Sequence, residues 1–211
     1  MADIAREVSA CAASYSSKHL DLRNHWSTPP ELAARLSLAV GSVMEQFSSP
    51  MNASASFRRH YSYRPGGAAF GFDYDAYSSR FCGSWYMIPE YDSEKLARYM
   101  RWARESVRTD EAANLGVGIV PRYQRAAHTE MLDTPGLHVL AMMSQGFRFV
   151  PLDAWKGGKD LSTGTKFAVD VVVFYNEMGR QHCDRLYRYT LIAHPVLLSG
   201  RTCWPNTPIA V

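Results

Sequence analysis

Three short stretches of this chain bring chemistry-bearing side chains together. Arg58-Arg59-His60-Tyr61-Ser62-Tyr63-Arg64 interleaves cations with aromatic rings. Cations meet phosphates and rings stack on bases, so this composition suits a single-stranded nucleic acid. A basic surface loop whose tyrosines fold back on the core is the other reading. Asp73 and Asp75 close the run that begins at Phe70. A carboxylate at a strand end can bind ribose hydroxyls, and Asp73 is the preferred one; a solvated turn acid is the alternative. The third stretch, Ile88-Pro89-Glu90-Tyr91, ends an apolar run. It offers a backbone carbonyl at Pro89, a carboxylate at Glu90 and a flat ring at Tyr91. Read plainly, it is a buried strand end with a proline stop.

Other groupings carry less. His182-Cys183-Asp184 are adjacent in sequence, and adjacent side chains cannot all face one site, so neither a triad nor a metal site is expected there. Cys11, Cys82, Cys183 and Cys203 form no C-x-x-C pair; structural zinc and a disulfide framework are not expected, and a reducing compartment fits best. Lys156, Lys159 and Lys166 flank Gly157-Gly158 without the Walker spacing, which speaks against nucleotide hydrolysis.

The elements that must position these residues alternate between strand and helix. Ser27-Thr28-Pro29-Pro30-Glu31 reads as a helix start, with a Ser or Thr cap, proline in the first turn and an acid near the positive end of the dipole. The helix should bury Leu32, Leu36 and Leu38 or Ala39 and run into Val43. Val43–Phe47, Phe70–Tyr74 and Gly83–Ile88 read as strands. Asp92 or Ser93 can cap a helix whose apolar face is Leu96, Tyr99, Met100, Ala103 and Val107, with Glu94–Arg98 and Arg101–Glu105 paired on its wet side. Leu115–Val120 and Phe167–Tyr175 read as buried strands, Pro135–Gln145 as a helix or mixed segment, Phe147–Pro151 as a short strand and Tyr187–Ala193 as a last one. This alternation predicts an α/β sheet, mostly parallel and flanked by helices, with ligands at the carboxyl ends of its strands.

The 211 residues, 46% hydrophobic and 20% charged, describe one globular domain. The boundaries predicted are a polar lead over residues 1–26 with a short helix over Ile4–Ala13, a domain over 27–198, and an irregular tail over 199–211. No apolar run approaches the ~20 residues of a membrane span. The acids at Asp3 and Glu7 argue against secretory and transit peptides. The expected location is intracellular, nuclear or cytoplasmic, and not secreted. A net charge of +3 admits a nucleic-acid partner only if the arginines cluster.

Met44-Glu45-Gln46-Phe47-Ser48-Ser49-Pro50-Met51-Asn52 resembles the Glu-x-Phe-Ala-Ser-Pro-Leu-Asn segment of the phosphorylated CTD-interacting factor family, the mRNA cap-adenosine N6-methyltransferases. Gly83-Ser84-Trp85 sits where that family has Gly-Ser-Phe ahead of its catalytic Asn-Pro-Pro-Phe. Gly118-Ile119-Val120-Pro121-Arg122-Tyr123 and Phe167–Asn176 are similar to its later core strands, so the resemblance spans roughly residues 43 to 176.

The resemblance implies a Rossmann-like methyltransferase fold, S-adenosylmethionine as cofactor, and RNA (capped mRNA in particular) as partner, alone or within a protein complex. It implies cofactor binding by Ser48, Ser49 and Asn52 and catalysis by Pro89, Glu90 and Tyr91; Asp73 joins the expected cofactor site as a strand-end carboxylate, and Arg58, Arg59, Tyr61 and Arg122 are expected to bind nucleic acid by their basic and aromatic composition. The chain departs from the family at the tetrapeptide. Ile88 has no side-chain acceptor, and Glu90 replaces a rigid proline. Two readings follow: a methyltransferase with a modified junction, or an inactive pseudo-methyltransferase kept as an RNA-binding or scaffold subunit.

Overall fold

A 3.6-residue apolar period builds the first helix. In the computed structural model, α1 (Pro30–Val40) buries Leu32, Ala33, Leu36, Ala39 and Val40 and leaves Leu38 exposed. The structure describes residues 5–6, 9–10, 13, 26–41, 44–50, 52–62, 67–89, 93–108, 112–122, 137–143, 150–151, 168–180 and 182. Pro30 opens α1 as expected, but no side chain caps it. Thr28 instead shares a buried hydrogen bond with the Tyr86 hydroxyl, tying the start of the helix to the sheet. Gly41, in the left-handed conformation at φ 62°, ends α1 before Val43, which lies outside the described residues.

Two short strands pair antiparallel apart from the main sheet, β1 (Trp26–Ser27) with β8 (Val150–Pro151). The main sheet contains β2 (Met44–Gln46), β3 (Arg59–Ser62), β4 (Asp73–Tyr74), β5 (Ser84–Met87), β6 (Leu115–Pro121), β7 (Leu137–Met143) and β9 (Val169–Tyr175). Their order is β4-β3-β2-β5-β6-β9-β7. The first five run parallel; β9 lies antiparallel between β6 and β7. The chain is therefore α/β, with a mostly parallel sheet flanked by helices.

Side-chain alternation feeds two cores. Tyr86 and Ile88 join Val117, Ile119 and Val171 beneath α1. Trp85 and Met87 face the other way, joining Val172, Phe174 and the apolar face of α2 (Ser93–Ser106). Leu96, Tyr99, Met100, Ala103 and Val107 are all buried there, as the periodicity predicts. Strands covered on both faces read as continuous apolar runs, and every residue of β6 is buried. Gly116 is required: it lies opposite Trp85 in the β5–β6 register, and a Cβ there would stand 2.1 Å from the indole ring.

Three expectations are corrected. Arg59–Ser62 is not a loop but a parallel strand, paired on both sides. Phe70 belongs to a 3-10 turn, Ala68–Phe70, so the strand begins only at Asp73. Residues 137–143 form a strand rather than a helix, because β9 needs a partner on its outer edge. On the wet side of α2, Arg98 lies over the Tyr77 ring and Glu105 bonds Arg80 from outside the helix. The predicted strand Tyr187–Ala193 and the lysine-bearing loop 155–165 lie outside the described residues. Among the described residues no helix is long and apolar enough to cross a membrane.

Candidate functional site

The strand order reverses at β2, which pairs with β3 on one side and β5 on the other. In open parallel sheets such a reversal leaves a crevice at the strands' carboxyl ends, because the following connections diverge to opposite sides. The segments there are Phe47–Asn52 after β2 and Ile88-Pro89 after β5.

Phe47 turns the chain out of β2 with a left-handed backbone, φ 62°. A bulky residue bears that conformation at a cost of about 1–2 kcal/mol. The aromatic rings around it, Tyr99 at 4.3 Å, Tyr77 at 5.2 Å and Phe81 at 5.6 Å, hold it in place. Asp75, just past β4, is the other non-glycine residue at positive φ among those described. Both strained positions thus fall at the carboxyl edge of the sheet, where strained backbone most often serves function.

The loop after Phe47 is tied to itself. The Ser49 N–H and hydroxyl both donate to Asn52 Oδ1, at 2.7 and 2.8 Å. The Asn52 and Ala53 N–H groups donate back to the Ser49 carbonyl at 3.0 and 2.9 Å. Ser27 Oγ donates to the Asn52 carbonyl at 2.9 Å, and the Ser48 N–H extends the β2–β3 ladder to the Tyr61 carbonyl at 3.1 Å.

Two buried oxygens stand apart from this web. Ser48 Oγ and Gln46 Oε1 have no hydrogen-bond partner among the described residues. Ser48 is 0% and Gln46 2% exposed. A buried polar atom without a partner costs about 1–3 kcal/mol, which a polar ligand at the crevice can offset. S-adenosylmethionine, with a carboxylate, an amine and ribose hydroxyls, is a group these oxygens fit.

Beside this loop, the two buried residues after β5 differ in character. Pro89 is buried at the crevice, whereas the Ile88 side chain packs into the core beneath α1. Glu90 and Tyr91 lie outside the described residues. On the β2–β3 ladder below, Glu45 Oε2 accepts the Ser54 N–H at 2.9 Å and meets His60 Nδ1 at 3.0 Å. Burial pushes the Glu45 carboxyl above the usual carboxylate range, against the pull of His60 and Ser54. The Tyr86 hydroxyl, wholly buried, is pushed up as well by burial.

The remaining sequence candidates scatter. Asp73 stands opposite Tyr61 at the start of β4, and its carboxylate holds Arg59 Nη2 at 2.8 Å. Arg59 Nη2 also donates to the Tyr61 hydroxyl at 3.0 Å. So one residue expected at the cofactor and two expected at nucleic acid contact each other, with Arg58 exposed beside them. Arg122 lies elsewhere, beyond the carboxyl end of β6, whereas Arg58 and Arg59 sit at the amino end of β3. Its Nε donates to Asp170 Oδ2 at 3.0 Å and its Nη2 lies 2.8 Å from Oδ1, so it neutralises a fully buried carboxylate.

Gln46 was not among the sequence candidates. Its place at the end of β2, directly before the Ser-Ser-Pro loop, is the signal that would have found it. No protein-family model matches this chain, and no curated protein matches it significantly.

Proposed function

We propose that this chain is an RNA-associated, methyltransferase-like protein that takes up S-adenosylmethionine at the carboxyl ends of β2 and β5, similar to the cap-adenosine N6-methyltransferases. The observation that carries this reading is the strand order. β4-β3-β2-β5-β6 follows the doubly wound order that reverses at its first strand. β9, antiparallel between β6 and β7, is the departure of this sheet from an all-parallel doubly wound one.

Bound there, the cofactor's sulfonium supplies the methyl group. The chain's own residues then divide the remaining work. The Phe47–Asn52 loop, held by the Ser49–Asn52 bonds, presents Ser48 and Gln46 oxygens to the cofactor's polar groups. The Pro89 carbonyl is the acceptor left to orient an exocyclic amine, with Tyr91 as the stacking ring and Glu90 as a second acceptor. Orientation matters because ~1 Å of misplacement can cost a hundredfold in rate.

A second reading has its own support. The position where the family carries a polar acceptor is Ile88, whose side chain is 5% exposed and packed under α1. That favours a pseudo-methyltransferase, binding RNA or a protein complex without transferring methyl groups.

Calorimetry with S-adenosylmethionine tests the proposal. Micromolar binding supports a cofactor site, and no heat at millimolar cofactor sinks it. Transfer of a radiolabelled methyl group to capped RNA beginning with adenosine then separates the enzyme from the scaffold.

A further inference from the structure

Among the described residues, three arginines lie over three aromatic rings on one side of the sheet. The Cζ of Arg98 is 3.9 Å from the centroid of Tyr77, that of Arg80 4.1 Å from Trp102, and that of Arg59 5.5 Å from Tyr61. All three rings are half-buried and rim the same core, the one beneath α2. Tyr77 and Trp102 touch edge to face, with centroids 5.8 Å apart. Arg98, Tyr77, Trp102 and Arg80 therefore form one continuous run of cation, ring, ring, cation.

The surroundings are basic. Arg98 and Trp102 share a face of α2, one turn apart, and Lys95 and Arg101 stand exposed three residues from Arg98 on either side. Arg58 and Arg108 are exposed as well; Glu105 bonds Arg80, Asp73 bonds Arg59, and the exposed Glu94 stands one turn before Arg98.

We propose that the Arg80–Trp102–Tyr77–Arg98 run is a docking surface for single-stranded RNA, separate from the crevice at β2 and β5. It rests on the RNA-association part of the reading above and not on methyl transfer. A guanidinium held flat on a ring keeps its outer face for a base and its N–H edge for a phosphate, and base stacking on such planes is a common mode of single-stranded RNA recognition. Stacked arginines are already ordered, so less side-chain freedom is lost on binding than from free lysines. An acidic protein segment would use the charges but has no need for rings placed between them, which is why RNA is the better fit.

Fluorescence anisotropy with a labelled single-stranded oligoadenylate tests the proposal, read at several salt concentrations. Arg80→Ala with Arg98→Ala should weaken binding by about tenfold or more and lower the salt slope by roughly 1.4, the equivalent of two phosphates. Arg80→Lys with Arg98→Lys should keep the slope and still lose affinity severalfold, since charge stays and the flat face goes. Far-UV circular dichroism and the melting curve of each variant confirm the fold. If the alanine pair binds like wild type while Arg58→Ala with Arg59→Ala loses binding, RNA association survives and this surface is wrong. If wild type binds no oligoadenylate at low salt, the RNA reading fails and this proposal with it. If polyglutamate displaces the probe as well as unlabelled RNA does, the surface serves an acidic protein and the proposal is overturned.

Discussion

Glu45 and His60 face each other across the β2–β3 ladder, carboxylate Oε2 3.0 Å from imidazole Nδ1, with the acid 1% exposed. Burial raises the Glu45 carboxyl above its ordinary value of 4.5. A raised folded-state value means that the folded chain holds this proton more tightly than the unfolded chain. The stability it contributes is present below the ordinary value and is lost as pH rises through the raised one. Glu45→Gln keeps an acceptor for the Ser54 N–H and removes the buried charge. The variant should therefore gain on wild type in Tm as pH rises from ~4.5 towards neutrality. A difference that stays constant with pH, or shrinks as pH rises, would contradict this.

Asn114 is the knot at the other end of the sheet. Its Oδ1 accepts Trp85 Nε1–H at 2.7 Å, and its Nδ2 donates to the carbonyls of Phe81 at 2.7 Å and Ser106 at 3.0 Å. Asn114→Ala strands all three partners in a buried place, so urea unfolding should show a loss of about 3 kcal/mol or more. A loss under ~1 kcal/mol would mean that water replaces the amide cheaply.

Gly116→Ala tests the close approach of β6 to Trp85. The new methyl group meets the indole at 2.1 Å, and the ring has no room to retreat because Phe81 and Phe174 pack on it at 4.9 and 5.5 Å. The expected cost is ~1–3 kcal/mol or above. Trp85→Phe in the same chain should recover part of it, and a double-mutant cycle measures the coupling.

Ser48→Ala should act with opposite signs on two measurements. Its hydroxyl is buried without a partner among the described residues, so removing it should leave the ligand-free Tm unchanged or higher. Affinity for S-adenosylmethionine should fall, by ~1.5–3 kcal/mol if the hydroxyl meets the cofactor's charged groups. Asn52→Ala should lower both, because Asn52 Oδ1 holds the loop through two bonds from Ser49. A Ser48→Ala protein that melts early and binds normally would assign the hydroxyl a structural role alone.

The sequence made the interior of this fold legible wherever one rule decided a segment. Leu96, Tyr99, Met100, Ala103 and Val107 fall at helical spacing and all face the core. β6 is apolar throughout, and β9 apolar but for Asp170, because both of their faces are covered. The failures came where a neighbour overrode local character. Arg59-His60-Tyr61 fits a loop by composition, yet pairing with β2 and β4 makes it a strand with Arg59 exposed and His60 and Tyr61 half-buried. Thr28 looks like a cap, yet the buried Tyr86 hydroxyl needed a partner more than the helix did. For the candidate site, the Ser48–Asn52 loop and Pro89 were suggested by the family resemblance, and the strand reading put both at strand ends. The arginine–ring stacks were not, because Arg80 and Trp102 are far apart in sequence and no local pattern joins them.

Because β9 is threaded between β6 and β7, the order of synthesis and the order of assembly disagree. A nascent chain completes β6 at residue 121 and β7 at residue 143, then must wait for residue 175 before the strand that joins them exists. At ribosomal speeds of ~5–20 residues per second, the gap from residue 121 to 175 lasts roughly 3–11 s. Throughout that interval the outer edge of β6, apolar along its whole length, is an open slot that another chain's strand can fill. Translation that halts before residue 169 therefore leaves a sheet of five parallel strands with a sticky margin, a natural substrate for chaperones rather than a smaller working domain.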